Sequence, residues 1–226
     1  MKKALISSLV AGLLAGGMTT ANAQDVEFSG NVAFTTDYVW RGVSQSDNDL
    51  AVQGGFDLAA GMFYAGTWGS AVDFGGPETM EWDLYGGVAG EFGDSGVGWD
   101  VGYIAYLYPG DSDINFGEGY VGLTYKWFGA YWYEQLDDPT GGDGASYVSL
   151  SADFELPNDF GIGVSYGMYN FDQAGADDYN DYKVGVTKSF GGFDFELAYT
   201  DTSSVDPANS SRLNDGQIWF MVGKSF

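Results

Sequence analysis

The sequence predicts an all-β protein, a twelve-stranded antiparallel transmembrane β-barrel. Three observations predict it. Apolar and polar residues alternate along most of the chain, the connections between alternating runs tend to alternate in length, and aromatic residues gather at the ends of the runs. A period of two puts successive side chains on opposite faces of a strand. Closure follows from the surroundings, because lipid offers no partner to an unpaired strand edge.

Composition removes much chemistry at once. The 226 residues include 36 Gly, 16 Phe, 16 Tyr and 7 Trp, with no Cys and no His. Such aromatic content is foreign to a disordered acidic chain. Without Cys there is no disulfide framework, thiol nucleophile, acylated lipoprotein terminus or Cys-ligated zinc. Without His the usual general base and the Ser-His-Asp triad are missing. Asp and Glu total 32 against 8 Lys and Arg, a net charge of −24. That balance repels nucleic acid, whose binding depends on neutralised phosphates.

Residues 1–23 read as a signal peptide. Lys2 and Lys3 give a positive start, Ala4 to Gly17 an apolar stretch, and Ala21-Asn22-Ala23 a small-x-small cleavage site. The apolar stretch is shorter than the roughly 20 residues of a spanning helix. Cleavage after Ala23 leaves residues 24–226 as one barrel domain.

The strands follow in order. The first, over 26–41, alternates Val26, Phe28, Val32 and Phe34 with Glu27, Ser29, Asn31 and Thr35. The second and third, 50–59 and 62–72, are separated only by Ala60-Gly61. The fourth and fifth, 79–90 and 98–108, flank Glu91 to Val97, the longest of the short connections. Lys126 to Phe128 joins the sixth, 116–125, to the short seventh, 129–135. The eighth, 146–155, carries Val148, Leu150, Ala152 and Phe154 on one face, and Leu156 to Phe160 leads into the ninth, 161–170. The tenth and eleventh, 181–190 and 193–200, turn at Gly191-Gly192. The twelfth, 216–226, puts Ile218, Phe220, Val222 and the terminal Phe226 on one face. The remaining connections are mostly longer and polar: Gly42 to Asp49, Asp73 to Glu78, Pro109 to Asn115, Leu136 to Ala145, Phe171 to Asn180 and Asp201 to Asp215. Tight turns at one end and long loops at the other are the pattern of an outer-membrane barrel, with both termini on the periplasmic side.

Two aromatic belts are expected at the headgroup levels. Trp99, Trp127, Phe160, Phe190, Phe193 and Phe226 supply the periplasmic one, and Tyr38, Trp40, Trp82, Tyr133 and Tyr182 the outer one. Lys188 and Lys224 also fall on the lipid phase, where a stem can lie along lipid while the ammonium reaches water.

Charge is costly toward lipid and belongs inside. The strand phase turns Glu27, Asp37, Asp57, Glu81, Asp83, Asp100, Glu118, Asp153, Glu155, Asp194 and Glu196 inward, opposed by Arg41 and Lys183. An acidic lumen favours cations, and Glu81 and Asp83 are expected to face its water. No catalytic constellation emerges, since pairs such as Asp153/Glu155 are what alternation produces on any inward face. Asp111, Asp113 and Asn115 begin like a calcium loop, but Gly117 falls one place late and Gly122 stands where a bidentate Glu is needed. No metal or cofactor is expected, and no enzymatic activity.

The stretch FTTDYVWRGVSQSDN from Phe34 to Asn48, with QGGFD from Gln53, YAGTWG from Tyr64 and EWDLYGG from Glu81, resembles the TorF-type porin family of proteobacteria. The resemblance implies an outer-membrane barrel and carries no active site over. Arg41, at the outer end of the first strand, is expected either to charge a constriction or to pair with Asp37 or a nearby strand. Twelve strands about 4.8 Å apart and tilted about 40° give a backbone diameter of roughly 24 Å. Inward side chains narrow that to a passage for small hydrophilic solutes, and inward Tyr108, Tyr169 and Trp219 are large enough to occlude it. Outer-membrane lipids and the barrel-assembly machinery are the expected partners, the latter reading Phe226. The alternatives are a closed structural or adhesion barrel whose acidic loops bind a partner, and a soluble exported β-protein.

Overall fold

The computed structural model of the protein describes residues 26–137, 144–171, 177–203, 213 and 215–226. The expected signal peptide lies outside the described residues. The wall is built from β1 (Val26–Thr35), β4 (Ala51–Ala60), β5 (Phe63–Ala71), β6 (Met80–Glu91), β7 (Val97–Leu107) and β8 (Phe116–Tyr125). It continues through β9 (Phe128–Asp137), β10 (Ala145–Leu156), β11 (Phe160–Phe171), β12 (Tyr179–Phe190), β13 (Phe193–Ser203) and β14 (Gln217–Ser225). Each strand pairs antiparallel with its neighbours, and β1 pairs with β14, so twelve strands close into a barrel. Closure runs from Asn31↔Ser225 to Thr35↔Met221, and Phe226 and Gly30 exchange two backbone hydrogen bonds of 2.9 Å below it.

Short turns stand at one end and long connections at the other, as the sequence predicts. β9 extends beyond the expected 129–135 because it pairs along its whole length, from Tyr125↔Phe128 to Gly117↔Asp137, with a bulge at Gly117/Glu118.

The first strand is the main departure. The chain leaves the wall after Thr35, and residues 36–50 turn into the lumen around a small hairpin of β2 (Val39–Trp40) and β3 (Val43–Ser44). Asp37, Trp40 and Arg41 therefore sit on an inserted loop and not on a strand of the wall. Polar side chains make the departure possible: Thr35 Oγ1 donates to the Asp37 carbonyl at 2.6 Å, and Ser46 Oγ accepts from the Tyr38 amide at 2.9 Å. Backbone groups that leave a ladder need such partners.

The outer face is apolar, with Phe34, Val52, Leu84, Val121, Val184 and Leu197 all exposed. Trp127, Phe160, Phe190, Phe193 and Phe226 are exposed toward the short-turn end, and Trp82 and Tyr182 toward the other. Lys188 lies 4.5 Å over the Phe160 ring and donates to the Asn158 carbonyl, while Lys224 lies 5.4 Å over Phe193. The expected outer belt loses three members. Tyr38 and Trp40 leave with the loop, and Tyr133 belongs to the inward phase of β9, opposite inward Tyr120 and Tyr147. Trp132, its neighbour, takes the outer face.

Inside, tyrosine and glycine are matched across neighbouring strands. The Tyr85 ring lies over Gly66, Tyr131 over Gly122 and Tyr147 over Gly167. A ring laid flat on a glycine covers the backbone that the glycine leaves open. Part of the abundance of both residue types has this common cause. Gly122→Ala would set a methyl 2.1 Å from the Tyr131 ring, whereas Gly119→Ala, facing out on the same strand, meets only a Leu136 methyl at 2.9 Å. Overpacking of that kind costs roughly 1–3 kcal/mol. Urea unfolding in lipid vesicles should show that loss for Gly122→Ala and a smaller one for Gly119→Ala.

Candidate functional site

The inserted hairpin and the wall it touches form the site. Trp40-Arg41-Gly42-Val43 is a two-residue turn with positive φ at both central residues, 47° at Arg41 and 81° at Gly42. Such turns favour Asn, Asp and Gly, and a non-glycine residue in the left-handed region costs about 1 kcal/mol or more. Gly42 has a second reason to be glycine. A methyl there would stand 2.7 Å from Asp181 Cβ and 2.6 Å from Thr202 Cγ2, so the tip is pressed against β12 and β13.

Arg41 accounts for the strained turn. Its Nη1 and Nη2 donate to Glu118 Oε1 and Oε2 at 2.8 and 2.7 Å. Both side chains are buried, at 5% and 1% exposure. The guanidinium is 4.1 Å from the Trp40 ring centre, 4.2 Å from Tyr147, 4.8 Å from Tyr169 and 5.2 Å from Tyr133. Of the two sequence readings, pairing with a nearby strand is the one the geometry meets. The partner is Glu118 on β8, not Asp37.

Asp37 instead ties the loop to itself. Its Oδ1 accepts from Ser44 Oγ at 2.6 Å and Ser46 Oγ at 3.1 Å. Burial pushes its carboxyl above the ordinary carboxylate range, the two hydroxyls oppose that rise, and Asp47 and Asp49 add to it. Glu81 receives Tyr38 Oη at 2.7 Å and Tyr108 Oη at 2.8 Å, fixing the loop to β6. Trp40 packs on Tyr106, Phe116 and Tyr169. The loop thus crosses the outer half of the lumen, where Tyr106, Asp83 and Glu118 are each less than 2% exposed.

The other predicted lumen residues divide along the barrel. Asp83 faces Trp68 across the β5–β6 pair, and among the described residues neither its carboxylate oxygens nor Trp68 Nε1 has a hydrogen-bond partner. Glu81 and Asp83 are buried beneath the loop and tyrosines, not open to lumen water as the sequence predicts. Asp57 accepts from Tyr85 Oη at 2.5 Å, and Asp100 from Tyr64 Oη at 2.7 Å. Lys183 pairs with Glu196 at 2.6 Å and lies 5.0 Å over Trp219. Asp194 accepts from Ser189 Oγ at 2.5 Å. Asp153, half-buried, faces Gly163 toward the short-turn end.

Asp181 is an inward acid that sequence reasoning missed. It shares the phase of Lys183, which is the signal for it, and accepts from Tyr147 Oη at 3.0 Å. Of the apparent calcium residues, Asp111 caps the single turn Ser112–Ile114 and Asn115 accepts from the Tyr108 amide at 2.7 Å. Among the described residues no group of three or more acidic side chains is arranged to hold a metal ion.

A bacterial family described as "Bacterial protein of unknown function (Gcw_chp)" matches residues 19–226. The chain belongs to this family. A comparison with curated proteins finds no match. Among solved structures, a KdgM porin superimposes with a TM-score of 0.57 at 9% identity, covering 88% of this chain and 98% of that one. A NanC porin gives 0.54 at 10% identity, covering 87% and 98%. OmpF of Salmonella typhi in complex with daunomycin gives 0.50 at 10% identity, covering 89% and 97%. These are likenesses of fold, and the fold they share is a porin-like barrel.

Two expectations follow. Stripping a buried ion pair of one partner costs about 3–5 kcal/mol, so Glu118→Gln should free the hairpin. Trypsin should then cut the Arg41–Gly42 bond of the folded barrel about a hundredfold faster than in the unmodified protein. The second concerns pH. Because burial raises the Asp37 carboxyl, its contribution to stability is present in acid and lost as pH rises through the folded-state value. Asp37→Asn should therefore unfold at a higher temperature than the unmodified protein at neutral pH. The difference should vanish as pH falls toward about 4.

Proposed function

We propose that this protein is an outer-membrane porin that passes small hydrophilic solutes and prefers cations. The observation that carries the reading is a closed twelve-stranded barrel with an apolar outside and an acidic inside. A polar interior behind an apolar band is what a spanning barrel needs to carry water-soluble cargo. The resemblance of Phe34 to Asn48 to the TorF-type porins supports the same reading, as does the signal-peptide pattern of residues 1–23. On this reading the chain is exported, cleaved after Ala23, and inserted by assembly machinery that reads Phe226.

Cation preference rests on the balance of the inner wall. Arg41 and Lys183 each neutralise one carboxylate, Glu118 and Glu196. Among the described residues Asp57, Glu81, Asp83, Asp100, Asp153, Asp181 and Asp194 form no ion pair, and of these only Asp181 feels the charge of Arg41. One KdgM porin structure is a complex with disordered oligogalacturonate. A polyanion of that class is the wrong cargo for this interior.

One observation favours a closed barrel as the second reading. The loop and its aromatic neighbours leave Tyr106, Asp83 and Glu118 almost wholly covered, so passage requires residues 36–50 to shift. Planar-bilayer recordings of the refolded protein decide between the two. Cation-selective conductance, with a reversal potential that weakens as salt shortens the Debye length from about 30 Å at 0.01 M to about 3 Å at 1 M, is the expected result. Anion preference would overturn the selectivity, and silence from correctly folded, heat-modifiable barrels would favour the closed form. Deleting Phe226 should lower membrane-inserted yield far more than deleting two residues between Asp201 and Asp215. Equal losses would show that the terminal ring carries no assembly signal.

A further inference from the structure

The arginine of the inserted loop marks out a site that the barrel wall builds without it. Glu118, Tyr133, Tyr147 and Tyr169 come from four successive strands, β8 to β11, and none belongs to the loop. Each is held by other contacts. Glu118 also accepts from Tyr106 Oη at 3.2 Å, Tyr147 donates to Asp181 at 3.0 Å, and the Tyr133 ring packs 5.5 Å from Tyr120. Tyr169 packs against Tyr179 at 5.5 Å. The cage is a property of the wall, and the loop fills it.

Its chemistry is specific. A carboxylate that offers both oxygens in parallel matches the planar fork of a guanidinium better than the point charge of an ammonium. Aromatic faces within about 6 Å attract a cation and exclude water from it. The occupant is held against local preference, since Arg41 sits at a left-handed turn position with φ 47°. Side-chain contacts, not the backbone, select arginine there.

Charge then constrains how the loop can leave. The lumen has two cations among the described residues, Arg41 of the loop and Lys183 of the wall, and Lys183 is engaged by Glu196 at 2.6 Å. If the hairpin withdraws alone, Glu118 loses the bidentate partner that meets both of its oxygens, and breaking such a pair is costly. A solute that brings its own guanidinium makes the exchange neutral.

We propose that Glu118, Tyr133, Tyr147 and Tyr169 form a recognition site for guanidinium-bearing solutes, which Arg41 occupies until such a solute displaces it. The site names a substrate class for the porin, and its transport step rests on that reading.

Binding and transport are tested separately. Refolded Arg41→Ala in detergent should unfold at a temperature several degrees higher in methylguanidinium chloride than in equal sodium chloride, in a saturable way. Arg41→Gln, which keeps more of the side-chain volume, serves if Arg41→Ala does not refold. The shift should disappear when Glu118→Gln is added. Equal effects of the two salts, or a shift that survives Glu118→Gln, would overturn the site. In planar bilayers the unmodified protein should favour methylguanidinium over methylammonium under bi-ionic conditions, and Glu118→Gln should abolish that preference. Conductance without the preference overturns the substrate class and leaves the porin standing. If no current flows at all, the porin reading fails, while the thermal shift still judges the site.

Discussion

On the porin reading the outer face of each strand meets hydrocarbon, where neither an unpaired amide nor a carboxylate can be placed. Two consequences shape this protein. The sheet must close, which the β1–β14 ladder and the Gly30–Phe226 pair accomplish. The charge of the strands must turn inward, into a space whose walls are only about 24 Å apart between backbones. A chain carrying 32 acidic residues meets that requirement with few cations to spare. Tyrosine resolves much of it. A phenol offers one O–H to a carboxylate and a ring to fill space beside it. Asp57, Glu81, Asp100, Glu118 and Asp181 each accept from at least one tyrosine. Glycines on neighbouring strands give those rings room.

The inserted loop obeys the same economy of charge. Its one buried cation meets Glu118, and its one buried carboxylate, Asp37, is satisfied by Ser44 and Ser46 within the loop. The price is a strained turn at Arg41, of order 1 kcal/mol. A bidentate buried pair and several ring contacts, the latter about 0.5–2 kcal/mol each, outweigh it. The hairpin is therefore held largely by its side chains, at Glu118 through Arg41 and at Glu81 through Tyr38, and against the backbone preference of Arg41.

Strand number, pairing order and loop alternation were legible because each rests on a local pattern. Alternation in β10 or β13 can be read without knowing what lies across the barrel, and Gly191-Gly192 marks its turn unaided. The inward course of residues 36–50 was not legible in the same way. Val39 and Trp40 continue the apolar pattern of a strand, and only Thr35-Thr36-Asp37 and the serines at 44 and 46 hint that the backbone finds other partners. The phase of Tyr133 is not legible in the same way, because Tyr131, Trp132 and Tyr133 are all aromatic and alternation is silent there. Its neighbours Tyr120 and Tyr147 decide the matter, and they lie 13 and 14 residues away in sequence but opposite in the ladder. The resemblance to the TorF-type porins agreed with the fold, while the family that matches the chain brings no function with it.

Burial also changes what an acid can do for a passing ion. Half-buried Asp57, Asp153 and Asp194 lie toward the short-turn end and contribute a field to whatever water reaches them. Glu81, Asp83 and Glu118 lie under the loop and its rings, where a low dielectric makes each charge stronger at short range and costlier to leave alone. The two groups therefore have different work on the porin reading. The half-buried acids set the sign of the charge that accumulates in the lumen. The covered acids act only when the cover moves, and then on whichever cation takes its place. On that reading attraction is separated from admission, and the residue proposed to join the two is Glu118.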